Sequence, residues 1–84
     1  MDEQFYDEII DKIRASSQAV EGVLGTEKCY VRKTGLKFHI DLHVIVSAMI
    51  TVKQGHEIAH RLKDRLKQDL PEIADILIHI EPDE

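Results

Sequence analysis

Apolar and polar residues alternate strictly along Phe38-His39-Ile40-Asp41-Leu42-His43-Val44, and the alternation returns in Ile78-His79-Ile80-Glu81 near the end of the chain. A strand turns successive side chains to opposite faces, so the pattern predicts two half-buried strands. Each seals a core with Phe, Ile, Leu or Val and turns His, Asp or Glu the other way. Elsewhere the spacing is helical. Phe5, Ile9, Ile13 and Val20 predict an amphipathic helix over about 4–21, with Asp2, Glu3, Asp7 and Glu8 crowded where a helix N-terminus favours negative charge. Ile58, Ala59, Leu62, Leu66 and Leu70 supply the apolar stripe of a second helix, from residue 52 or 53 to 69, which Pro71 ends.

Turn residues divide what remains. Gly22-Val23-Leu24-Gly25 follows the first helix, and Cys29-Tyr30-Val31-Arg32 predicts a short strand before the hairpin turn Lys33-Thr34-Gly35. The next strand covers 36–47, the last 74–80. The order is therefore helix, strand, strand, helix, strand. Two helices on one face of a small mixed sheet bury both apolar stripes, which gives an α+β sandwich. The chain has no linker, repeat or low-complexity stretch, and residues 1–84 are expected to form one domain.

Composition narrows the function. A formal charge of -5 and a pI near 5.5 argue against a nucleic-acid partner, since Lys and Arg are scattered rather than massed. No apolar run approaches the roughly 20 residues of a membrane span, and Met1-Asp2-Glu3 is unlike a signal peptide. The expectation is a soluble chain without direct membrane insertion. A domain of this size often gains stability from metals or association. The single Cys29 cannot form an internal disulfide.

The chemistry lies in the alternating strands. If both belong to one sheet, His39, Asp41 and His43 collect with His79 and Glu81 on the side away from the core. Nitrogen and oxygen donors together suit zinc, with manganese or iron(II) as alternatives. Enzymatic readings have little to stand on. There is no nucleophile elbow, and Gly22, Gly25, Gly35 and Gly55 are too dispersed for a phosphate-binding loop. The charge runs of 63–65 and 67–69 are solvated helix surface.

Several segments together resemble the cytoplasmic C-terminal domain of the cation diffusion facilitator transporters. They are Val20-Glu21-Gly22-Val23, Arg32 with Lys33-Thr34-Gly35, Asp41-Leu42-His43-Val44, Gly55-His56-Glu57-Ile58-Ala59, and Asp75-Ile76-Leu77-Ile78-His79-Ile80-Glu81-Pro82. The resemblance implies a ferredoxin-like, metallochaperone-like fold that forms a V-shaped homodimer beneath the transmembrane domain of a zinc, iron or manganese antiporter. It also implies a metal site of His43, His56, His79 and Glu81. A further histidine of some family members falls on or near Glu27 here. His39, Asp41 and His60 are not standard members of that set. His39 and Asp41 share a strand face with His43, however, and His60 follows His56 by one helical turn.

The implied function is regulatory: divalent cations favour one inter-subunit angle of the homodimer and thereby promote export. The alternatives are a constitutive dimerisation module with incidental histidines, and a small-ligand binding domain of the ACT type. The chain is expected to be either an excised domain or a stand-alone protein of this kind.

Overall fold

A computed structural model describes the backbone of residues 4–84 and the side chains of 6–84. Its elements are α1 (Gln4–Gln18), β1 (Gly25–Thr34), β2 (Lys37–Val46), α2 (Val52–Asp69) and β3 (Ile73–Pro82). The sheet order is β1-β2-β3, with β1 antiparallel and β3 parallel to the central β2. Gly35, at φ +61, makes the tight turn between β1 and β2. The parallel return from β2 to β3 needs a crossover, and α2 is that crossover.

Both helices cover the same face of the sheet, as their stripes require. Ile40, Leu42, Val44 and Val46 of β2 are buried with Ile9 and Ile13 of α1, Ile58, Leu62 and Leu66 of α2, and Ile73 and Ile76 of β3. Each such side chain contributes about 1.5–3 kcal/mol relative to exposure. The one buried polar residue in this set, Ser17, donates its hydroxyl to the Ile13 carbonyl at 2.7 Å, so burial leaves no unpaired group there. Phe5 lies outside the described side chains, and Asp2 and Glu3 outside the described residues.

Local chemistry sets the ends of α2. Thr51 caps it through a reciprocal pair: the Gln54 N–H donates to the Thr51 hydroxyl at 3.0 Å, and the Thr51 N–H donates to Gln54 Oε1 at 2.9 Å. At the far end Asp69 Oδ2 accepts from Arg65 Nε at 2.8 Å and from the Ser16 hydroxyl of α1 at 2.9 Å, which ties the two helices together.

Three boundaries differ from the sequence expectation. Helix α1 stops at Gln18, because Ala19 and Val20 turn back onto the Ser16 and Ser17 carbonyls, and Val20 remains buried from a turn. Strand β1 is longer than 29–32, since a register irregularity between Thr26 and Cys29 breaks its alternation and hides its first half. Strand β3 runs on to Pro82, which carries Glu81 inside the sheet.

Candidate metal centre

The sheet face opposite the helices carries Tyr30, Asp41, His43, Leu77, His79 and Glu81. Parallel pairing places His43 directly beside His79, and their rings stack with centroids 4.4 Å apart and planes 13° from parallel. His43 Nδ1 donates to Glu81 Oε2 at 2.5 Å, which leaves Nε2 as its free nitrogen. The Tyr30 ring meets the edge of His43 from β1, 6.3 Å between centroids. The hydrogen bond from His43 is the main reason the Glu81 carboxyl sits below its ordinary range; Glu27 acts next in the same direction, and the Lys28 charge adds a little. His43, His79 and Glu81 are thus one cluster, with Glu27 at its margin.

His39 has a different environment. Its Nδ1–H donates to Asp75 Oδ1 at 2.7 Å, and its Nε2 is hydrogen-bonded to the Thr34 hydroxyl at 2.6 Å. Both nitrogens are engaged, so His39 links the hairpin tip to β3 rather than offering a free donor. Asp41 is exposed and pairs across the strands with Tyr30 and Leu77, neither of which is a ligand. Asp75, Thr34 and Tyr30 were not singled out from sequence. Asp75 does share odd-numbered parity with His79 and Glu81, and that parity was the available signal.

His56 and His60 lie on α2, and His56 also borders the end of β3 at Ile80 and Pro82. Both line a groove along β3 with Ile76, Leu77 and Ile78. Their Nε2 atoms are 3.1 Å apart. Cys29 points the other way, half-buried against the core, where burial raises its thiol pKa and the Arg14 charge only partly offsets this.

Among the described residues no group of three or more His, Cys, Asp or Glu side chains is arranged to hold a metal ion. The donor chemistry of His43, His79 and Glu81 nevertheless suits a divalent cation. At Zn–N distances of 2.0–2.1 Å a tetrahedral ion needs its donors about 3.3 Å apart, so the stacked imidazoles would have to turn toward each other. Glu81 then either ligates or orients His43, as carboxylates behind ligating histidines do.

A family model for the cytoplasmic domain of cation efflux proteins matches residues 5–83. The chain belongs to that family. Metal tolerance protein C1 of Arabidopsis thaliana is 29% identical over 73 residues, which cover 87% of this chain and 16% of that protein. The manganese efflux system protein MneP of Bacillus subtilis (strain 168) is 25% identical over 75 residues, covering 89% of this chain and 25% of that protein. The chain therefore spans a sixth to a quarter of the length of these relatives. A cadmium form of a MamM CTD variant superimposes with a TM-score of 0.91 at 22% identity, covering 94% of this chain and 99% of that one. A manganese form of another variant gives 0.89 at 21% identity, with coverages of 92% and 98%. These structures establish the order α-β-β-α-β with a three-stranded mixed sheet as the fold of the cytoplasmic domain. No helix among its described residues is long and apolar enough to cross a membrane.

Proposed function

We propose that this cytoplasmic domain is a metal-responsive homodimerisation and regulatory module of a divalent-cation efflux transporter. The carrying observation is that β2 and β3 bring His43, His79 and Glu81 together on the one sheet face the helices leave open. A second copy seated against this face would complete the coordination that a single chain leaves short, with Glu27 as an additional oxygen donor. Exposed Tyr30 and Leu77 give that face apolar surface for association. Zinc is the first candidate ion, with manganese and iron(II) as alternatives, and the names of the MamM and MneP relatives support the class of divalent cation. The ion shifts the dimer only to the extent that it binds one arrangement more tightly than another. The domain is read as having no enzymatic role, and residues 1–84 as a single unit.

The test is titration of zinc and manganese into the wild type and a His43→Ala/His79→Ala double variant, followed by calorimetry and small-angle scattering. The expected result is a higher bound-metal stoichiometry in the wild type than in the double variant, and a metal-induced compaction of the dimer in the wild type alone. Identical behaviour of the two proteins would sink the assignment. Unchanged melting temperature and scattering with metal would instead favour a constitutive dimerisation module. An ACT-like domain would answer to a small organic ligand and ignore the ion.

A further inference from the structure

Helix α2 opens at Thr51, whose capping box with Gln54 fixes the first turn, and one turn further on the helix begins to carry His56 and His60 four residues apart. Both side chains are exposed. Their rings lie 4.5 Å apart between centroids but only 3.1 Å apart between Nε2 atoms, so the nitrogens are the facing edges. That separation is close to the roughly 3.3 Å bite of a tetrahedral ion with Zn–N bonds of 2.0–2.1 Å. The rings of His43 and His79 instead stack face to face, with centroids 4.4 Å apart.

We propose that His56 and His60 form a second divalent-cation site, a two-histidine clamp on α2 distinct from the sheet cluster. The two imidazoles supply Nε2 donors from one helix face, the spacing by which a single helix chelates zinc. The remaining positions belong to water, and the site is exchangeable. With nitrogen donors alone it selects zinc, nickel, cobalt(II) or copper(II) over manganese, which prefers oxygen. In the metal-free protein one Nε2–H donates to the other Nε2. On binding, the donating ring shifts that proton to Nδ1, so both Nε2 lone pairs reach the ion without net proton release. Ala59 and Lys63 border the same groove, and the Lys63 ammonium there disfavours the cation. The resemblance groups His56 with His43, His79 and Glu81; the clamp instead pairs it with His60, and it uses no atom of His43, His79 or Glu81, so it stands whether or not those three bind an ion.

The experiment uses zinc, nickel and manganese chlorides with three forms of the whole chain: wild type, His60→Ala, and His43→Ala/His79→Ala. Calorimetry reads stoichiometry, and nitrogen-15 shifts of the histidine rings read which nitrogens ligate. Circular dichroism confirms that each variant keeps its helices; both clamp histidines are exposed, so removing them leaves the core intact. The expected result is one ion per chain lost in His60→Ala and kept in the double variant, with Nε2 of His56 and His60 moving in zinc and nickel but not in manganese. An unchanged stoichiometry in His60→Ala would overturn the clamp, as would its loss in the double variant or equal occupancy by manganese. Failure of the sheet site alone would show up as a double variant that binds like the wild type.

Discussion

His43 and Glu81, 38 residues apart in sequence, are joined by a hydrogen bond from ring Nδ1 to carboxylate across the parallel pair β2 and β3. The bond gives the carboxylate a way to fix the imidazole tautomer and aim its free Nε2 outward. Replacing Glu81 with Gln keeps an acceptor but removes the charge. Cation affinity at the sheet site should then fall about 10–100-fold. Thermal stability should change little, since Gln still accepts from the His43 Nδ1–H. In the metal-free protein the Glu81 carboxyl should titrate below its ordinary range, and His43→Ala should move it back up, which side-chain NMR reads directly.

His39 predicts the opposite. Thr34 and Asp75 take both of its nitrogens, so His39→Ala should leave cation binding unchanged while loosening the hairpin. The cost should be about 1 kcal/mol. Faster amide exchange at Lys33 and Lys37, with calorimetry unaltered, is the expected signature.

Gly22 sits at φ +97, and a Cβ there would lie 2.6 Å from Ile58 Cδ1. Both the backbone and the buried Ile58 resist a side chain at this turn. Gly22→Ala should destabilise by about 1–2 kcal/mol from conformation alone, more if Ile58 cannot move. Gly25→Ala is the control, because nothing lies within 4 Å of its added methyl. Urea midpoints of the two variants should separate clearly.

Asp69 makes stability depend on acid. The hydrogen bond from Arg65, then that from Ser16, holds its pKa below the ordinary value of 3.8. A depressed carboxyl stabilises the fold fully above its unfolded pKa and loses that contribution as pH falls through the folded one. The melting temperature of the wild type should therefore drop toward that of Asp69→Asn as pH is lowered below about 4. The gap between them should be constant from pH 6 to 8.

Alternation made β2 fully legible, because Phe38, Ile40, Leu42 and Val44 face the core without a break. The same signal failed in β1, where Glu27 and Lys28 fall at the irregular pairing and are both exposed. Parity alone puts His43, His79 and Glu81 on one face of a shared sheet. It could not place His56, whose position relative to the sheet depends on where α2 crosses. Nor could it find the engagement of His39, since that requires the β3 register, which slips beside it between Phe38 and His39. Faces follow from periodicity within an element, whereas contacts between elements follow from packing.

The parallel partner of β2 is β3, which is made only after α2, and His79 and Glu81 lie near the end of that strand. A growing polypeptide therefore carries His43 through the synthesis of the whole of α2 with no neighbour on that side. Cation capture at the proposed sheet site would begin only when β3 has emerged and docked beside β2, so a chain cut before His79 would lack the site while keeping α1 and α2.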